Sequence, residues 1–406
     1  MDDKKRKILR LAFLAAGALT LTLIVAVSVY SLWEQAPEVV PPTVTARPVK
    51  YAEQTEPEET ETPWPAGRQK GVYTLLLVGN DDGNGNTDTI MVGKIDTIQH
   101  KMDFVSIPRD TLINWDWNIR KINAVYWSYK LRGDTGIAEL KEHVKNVVGF
   151  EVDCYAVVDI GVVIEAIDAL GGVEFDVPMD LNYDDNSQNL HIHISAGPQT
   201  LSGEQAMGVC RYRSGYYNGD LGRIDMQHVF LKACAEQFIR LGNIPNLSKV
   251  INILSEGLDT DLTAANIAFF LRQALLCKSE DVNFYTVPNT DAMVHGLSYT
   301  IIRLNEWLTM INERLNPLDS PITAEDLDIV YRDNGSFAGT AELKAPGYLY
   351  WSAPSPSLSG TGAEPAGEGE TEPGNDPLPL LPEFTFPPLP IPKSEAGDES
   401  GGRIPV

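Results

Sequence analysis

The chain has 406 residues and carries 32 lysines and arginines against 56 aspartates and glutamates, a formal net charge of −24. Such a polyanion repels a nucleic-acid backbone, so DNA and RNA binding are excluded, and the length allows one large domain or two modest ones with tails. The cysteines Cys154, Cys210, Cys234 and Cys277 show neither a Cys-x-x-Cys pair nor a metal-ligand spacing, and Cys234 falls in an apolar stripe as a buried thiol.

Residues 1–10 are basic on balance, and Leu11 to Trp33 carries no charged residue. A bilayer-spanning helix needs about 20 residues, and the basic flank before the run sets the orientation. The reading is a retained anchor over residues 11–33, with the N-terminus cytoplasmic and all that follows outside. A cleaved signal peptide is disfavoured, because no clear small-x-small step precedes the charged stretch. Residues 34–70 are rich in Pro, Thr and Glu without apolar periodicity, which predicts a disordered extracellular tether.

From Tyr73 the pattern changes. Tyr73–Val78, Thr87–Ile95 and Met102–Ile107 read as three strands, bounded by a Gly79-Asn-Asp-Asp-Gly83 turn and by Pro108. If they pair as a meander, the end of the first, the start of the second and the end of the third share one edge of the sheet. Asp81 or Asp82, Asp88 and Arg109 then meet, a set suited to a divalent cation and a phosphate. Taken alone, Asp81 and Asp82 are also ordinary turn formers.

Further helices are expected from Lys121-Ile-Asn-Ala onward, over Gly136–Val148 and over Val162–Leu170, with strands at Tyr155–Val158 and Val173–Val177. This alternation implies an α/β layer structure. His191 and His193 lie two apart without a third ligand and read as structural. Neither a Walker loop, a dinucleotide fingerprint nor a serine nucleophile elbow is present.

Cys210 to Gln227 concentrates Arg211, Arg213 and Arg223 in an otherwise acidic chain. Val209–Arg213, β-branched and aromatic, is expected to be extended, which points Arg211 and Arg213 to one face. Asp220 is expected to cap a helix whose apolar stripe is Met226, Phe230, Cys234, Phe238 and Leu241, with Arg223 and Gln227 near its anion-favouring start. Pairing of these arginines with the chain's own carboxylates is the alternative. Residues 243–350 read as mainly helical, with helices over Leu247–Gly257, Thr263–Leu276 and Ile302–Leu315 and a strand at Val282–Val287. Residues 351–406, rich in Pro, Gly and Glu, read as a disordered tail.

Several of these stretches, in this order, resemble the signatures of the LytR-CpsA-Psr family. They are Leu76-Leu-Val-Gly79-Asn-Asp81, Thr87-Asp88-Thr89, Ser106-Ile-Pro-Arg109-Asp110-Thr111 and Lys121-Ile-Asn123-Ala124, followed by Asp168-Ala-Leu-Gly-Gly-Val173, Asn189-Leu-His-Ile-His193, Leu201-Ser-Gly203-Glu-Gln-Ala206, Arg211-Tyr-Arg213 and Gly222-Arg223-Ile-Asp-Met-Gln227. The resemblance covers residues 71–242. It implies an α/β fold with a mixed central β-sheet, helices on both faces and an apolar pocket for a polyprenyl chain. It also implies a Gram-positive-type envelope enzyme that moves a glycopolymer, such as a teichoic acid or capsular polysaccharide, from a polyprenyl-pyrophosphate carrier to peptidoglycan. By motif, Asp81 and Asp88 match the acidic positions associated with Mg²⁺ (or Mn²⁺) and catalysis. Arg109, Arg211, Arg213, Arg223 and Gln227 match the pyrophosphate-binding positions, and Lys121 is a further contact. The chain departs from the family at Asn86, where an arginine is usual, in a short first loop and in the extra carboxylate of Asp82. Two rival readings are a non-catalytic module that binds lipid pyrophosphates or polyanions, and a pyrophosphatase acting on the same lipid.

Overall fold

The computed structural model describes residues 34–42, 64–80, 87–133, 135–186, 190–212, 220–241 and 247–350. The expected anchor at 11–33 and tail at 351–406 lie outside these residues. Among the described residues, no helix is long and apolar enough to cross a membrane.

Strand β1 (Val72–Asn80) is apolar along most of its length because its two faces serve two cores. Leu76 and Val78 point into one, Tyr73 and Leu75 into the other. Strands β2 (Thr87–Asp96) and β3 (Lys101–Ser106) continue from β1 as the expected antiparallel meander. On the other side β4 (Cys154–Asp159) runs parallel to β1, and β10 (Val282–Thr286) runs parallel to β3. With β9 (Asp259–Thr260) the order is β10-β3-β2-β1-β4-β9, a mixed sheet of six strands.

Helices cover both faces, as expected. α1 (Asn123–Gly133), α2 (Gly136–Val148) and α8 (Leu304–Arg314) contribute Val125, Leu140, Val144, Trp307 and Ile311 to the core under Leu76 and Val78. α6 (Leu247–Gly257) follows α5 (Asp220–Leu241), and α5 and α7 (Ala264–Leu276) place Ala235, Ile239, Phe269 and Phe270 against Tyr73, Ile95 and Met102 on the opposite face. Since only β2 and the short β9 run against the other four strands, the ends of β1, β3, β4 and β10 all point to one edge of the sheet.

A second core lies beside the sheet. It is built by α3 (Ile160–Ala169), the strand pair β5 (Val173–Val177) and β8 (Gly197–Leu201), the hairpin of β6 (Leu181–Asp185) and β7 (Leu190–Ile194), and α4 (Gly203–Arg211), and it receives Met226 and Phe230 of α5. Two of the sequence signatures interlock here. The Asp168 carboxylate accepts from Gly203 N–H at 2.8 Å, capping α4 from a neighbouring element. A Cβ on Gly203 would sit 2.3 Å from the Ile164 carbonyl, so only glycine lets α4 approach α3 this closely. His191 and His193 on β7 both hydrogen-bond Asp184 across the hairpin, at 2.6 and 3.2 Å, consistent with their structural reading.

Three expectations are corrected. Val209–Arg211 is helical, not extended: Ser202 and Gln205 form a capping box that starts α4, and Gly203, Ala206 and Val209 are buried along one side of it. The packing of an amphipathic helix outweighs the β-propensity of this stretch, and the chain becomes extended only at Tyr212. Next, the described parts of the expected tether, residues 34–42 and 64–70, are packed on the body rather than disordered. Gln35 N–H donates to Ala265 O at 3.3 Å, Asn266 Nδ2 donates to Gln35 O at 2.7 Å, and Arg272 pairs with Glu34 at 2.7 Å. Trp64 meets the Tyr73 ring edge-on at 5.5 Å, and Arg68 is buried. Finally, the region read as mainly helical also holds a four-stranded sheet, β11 (Asn289–Val294), β12 (Leu297–Ile302), β13 (Val330–Asp333) and β14 (Ser336–Gly339), in that order. Ile302 therefore ends a strand rather than opening a helix. β11 is rich in Asn, Thr and Asp, residues that seldom signal a strand by themselves.

Candidate active site

The edge where β1, β3 and β4 end gathers the residues that the sequence singled out. Asp88 opens β2, and Arg109 follows β3 past the break imposed by Pro108. Arg109 Nη1 donates to Asp88 Oδ1 at 2.7 Å, so the meeting expected from the meander is found. From the far side Arg223, on the first turn of α5, reaches the same carboxylate, with Nη1 3.5 Å from Asp88 Oδ2 and Nη2 donating to the Asp88 carbonyl at 3.3 Å. Asp88 thus stands between two guanidinium groups that come from opposite sides of the fold.

Hydrogen bonds and ion pairs from neighbouring loops fix this arrangement. Thr87 Oγ donates to Asn123 O at 3.2 Å, and Asn123 N–H donates to Arg109 O at 3.2 Å, tying the start of β2 and the loop after β3 to the start of α1. Lys121 Nζ lies 3.0 Å from Asp110 Oδ1, and Arg109 Nε lies 3.9 Å from the same oxygen. Asp110 therefore aligns two cations, a role the sequence reading did not assign although the residue sits beside Arg109. At the end of β1, Asn80 Nδ2 donates to Asp159 Oδ1 at 3.0 Å and joins the ends of β1 and β4, while the β1–β2 register shifts at Gly79/Asn80.

Arg211, Arg223, Gln227 and Asp88 line the mouth of a cavity of about 230 Å³. Apart from Asn80 and Thr89 its walls are mainly apolar: Leu77, Met91 and Val158 from the sheet, Ile160 and Val163 of α3, Met207 of α4 and Leu231 of α5. Gln227 Nε2 donates to Cys210 O at 3.0 Å and so holds α5 to the last turn of α4. Burial pushes the Cys210 and Cys234 thiols up to about 12, which makes both poor nucleophiles at neutral pH. One residue beyond Gln227, His228 Nε2 lies 2.8 Å from Ser106 Oγ, a strut between α5 and the end of β3 that the sequence reading missed. Burial pushes His228 down to about 4, so the neutral ring is the form that meets the serine at neutral pH.

Among the predicted site residues, the structure brings Asp88, Arg109 and Arg223 into direct contact, adds Lys121 through Asp110, and sets Arg211 and Gln227 at the cavity mouth. Asp81 and Arg213, like Asp82 and Asn86, lie outside the described residues. Among the described residues, no cluster of three His, Cys, Asp or Glu side chains is placed to hold a metal ion. In a chain of net charge −24, Arg109, Lys121, Arg211 and Arg223 gather at this edge among the described residues, with Asp88 and Asp110 between them. Cations gathered beside an apolar cavity suit an amphiphile with an anionic head.

The LytR_cpsA_psr family model matches residues 42–315. The polyisoprenyl-teichoic acid–peptidoglycan teichoic acid transferase TagV of Bacillus subtilis is 29% identical over 204 residues, 48% of this chain and 51% of TagV. The cell wall biosynthesis protein LcpA of Corynebacterium glutamicum is 30% identical over 267 residues, 59% of this chain and 51% of LcpA. The chain thus spans about half the length of these two curated relatives. The crystal structure of B. subtilis TagV superposes with a TM-score of 0.50 at 24% identity, over 60% of this chain and 96% of that one. Protein gbs0355 from Streptococcus agalactiae superposes with a TM-score of 0.52 at 21% identity, over 63% of this chain and 93% of the other. At these identities the structural likeness concerns the fold.

Proposed function

The chain belongs to the LytR_cpsA_psr family, and from that premise we propose that it is a membrane-anchored extracellular phosphotransferase. Its reaction moves a glycopolymer of the teichoic-acid or capsular type from a polyprenyl-pyrophosphate carrier to peptidoglycan. The observation that carries this reading is the pair Arg109 and Arg223 closing on Asp88 at the mouth of an apolar cavity. The cavity suits the isoprenoid chain and the guanidinium groups suit the pyrophosphate. Anchoring rests on the uncharged run Leu11–Trp33.

The chemistry follows from where charge develops. A sugar hydroxyl attacks the phosphorus that bears the glycopolymer, the bridging P–O bond breaks, and polyprenyl phosphate departs with the negative charge. Arg109, Arg211 and Arg223 stabilise that charge, Arg109 and Arg223 being held in position by Asp88 before the reaction. Arg213, Lys121 and Gln227 extend the same cradle. Arg109 and Arg223 occupy both oxygens of Asp88, so Asp88 serves to orient them, and the hydroxyl proton passes to Asp81, which follows Asn80 directly in sequence. A carboxylate offers about four lone-pair sites, and the Asp88 side chain is 26% exposed, so the two arginine contacts do not by themselves close it off. Asp81 and Asp88 would hold Mg²⁺ (or Mn²⁺), which would neutralise charge on the pyrophosphate.

The test incubates the purified full chain with a lipid-linked glycopolymer, with and without peptidoglycan, and with Mg²⁺ or a chelator. Polymer attached to peptidoglycan in a chelator-sensitive reaction is the expected product. Release of polymer phosphate to water without need of peptidoglycan marks a pyrophosphatase, and retention of the lipid without turnover marks a binding module. Either outcome overturns the transferase reading.

A further inference from the structure

The segment that follows the expected anchor is bound to the body at the edge of the sheet opposite the active site. Val40 N–H donates to Asp153 Oδ1 at 2.8 Å, and Asp153 lies just before β4, beside the start of β1. Gln35 is bonded on both its N–H and its carbonyl to the first turn of α7, and Glu34, its side chain only 6% exposed, pairs with Arg272 farther along that helix. Arg272 lies seven residues, two turns, beyond Ala265. Gln35 is thus bonded at the start of α7 and Glu34 paired toward its C-terminal end. That end leads through Cys277 into the start of β10, and Cys277 packs with Met102 and Val282 at the starts of β3 and β10.

The same edge carries two large apolar side chains on its surface. Ile98, in the turn between β2 and β3, is 63% exposed, and Leu276, the last residue of α7, is 49% exposed. Lys70, Lys101 and Lys278 stand around them, although Lys101 pairs with Asp103 at 3.6 Å and Lys278 with Glu280 at 3.7 Å. The apolar side chains, more than charge, are what a bilayer surface would take up.

We propose that residues 34–42 are a strap that clamps the body to its own anchor. The edge bearing Ile98 and Leu276 rests on the outer membrane surface, and the active-site edge faces away from it. This rests on the anchored reading of residues 11–33. β1 is nine residues long, so the two edges are separated by roughly 30 Å at about 3.3 Å per residue. The pyrophosphate of a bilayer lipid is then processed well above the membrane, toward the wall that holds the acceptor. The apolar cavity shields from water the stretch of isoprenoid drawn up with it.

The experiment uses the full chain in vesicles of phosphatidylethanolamine and phosphatidylglycerol, with a nitroxide attached at Ile98→Cys or, in a separate protein, at Ile119→Cys. Ile119 is exposed beside Lys121 at the active-site edge. The label at 98 is expected to be accessible to oxygen and protected from an aqueous nickel chelate, and the label at 119 the reverse. The exposed Arg272, changed as Arg272→Glu, should raise nickel access at 98, and adding Glu34→Arg should restore protection. A chain lost from the vesicles on alkaline washing overturns the anchor and the strap together. A retained chain whose label at 98 is as open to nickel as that at 119 overturns the membrane-facing edge alone, and a charge swap without effect overturns the strap.

Discussion

Each edge of the six-stranded sheet carries an Arg–Asp pair, and the two pairs differ in what surrounds the carboxylate. At the edge where β1 begins, Arg68 and Asp153 lie 2.5 Å apart with side chains 1% and 0% exposed. Asp153 also accepts from Val40 N–H, Thr74 N–H and Thr74 Oγ, so every approach to it is taken by the protein. At the edge where β1 ends, Arg109 and Asp88 are 24% and 26% exposed, and Arg223 adds a second cation. Of the two, the closed pair holds structure. The open one keeps Arg109 and Asp88 partly exposed, where an anion can approach.

That contrast sets the expected effects of substitution. Arg223→Ala should lower transfer on the order of 10³-fold, since it removes a donor aimed at developing phosphate charge. Arg223→Lys should recover only part, because an ammonium keeps the charge without the planar fork. Both are read from turnover, with the urea midpoint as a check that the fold persists. At the closed edge Asp153→Ala should cost about 3–5 kcal/mol by leaving Arg68 buried without its carboxylate, with turnover per folded molecule unchanged. The distinction between the edges fails if Arg223→Ala chiefly unfolds the protein, or if Asp153→Ala chiefly slows the reaction.

Acid provides a third comparison. Burial pushes His143, in the α2 core, and His228, on the active-site helix, down to about 4 from the ordinary 6.5. A depressed folded-state value means that the neutral ring is favoured by folding. The contribution is complete above pH 6.5 and is lost as pH falls through 4, up to about 3 kcal/mol for each ring. Urea midpoints measured between pH 7 and pH 4 should fall, and His143→Gln and His228→Gln should each flatten the slope. Only the second also touches the strut to Ser106, and it should raise KM for the lipid. The smallest effect is expected at Ser202→Ala, which removes half of the capping box of α4 and should cost about 1 kcal/mol in thermal stability. Arg211 ends that helix, so any accompanying loss of lipid affinity would place the cap in the support of the site.

Much of the site was legible because it depends on local rules. Strand runs bounded by Gly and Pro predicted β1, β2 and β3, and the meander alone brought Asp88 to Arg109. The 3.6-residue period gave α2 over Gly136–Val148 with both ends correct. Asp110 and His228 were not legible as site-supporting residues, because their roles depend on partners from elsewhere in the fold: Lys121 across a loop and Ser106 across the sheet. The strap was missed for a related reason. Its Pro- and Glu-rich composition signals a linker, while its order comes from acceptors and donors on Asp153, Ala265, Asn266 and Arg272, more than a hundred residues away.

The sequence by itself determined the layered α/β class, the first three strands, the acid–arginine meeting at their shared edge and the family. Each follows from periodicity, turn chemistry or the order of short motifs, all carried by near neighbours in the chain. Only the tertiary structure decided that Arg211 ends a helix, that Arg223 crosses to Asp88, which residues wall the apolar cavity beside them, and that residues 34–42 are bound down. These outcomes depend on which distant groups satisfy a buried charge or an exposed backbone N–H, and local propensity does not contain that choice.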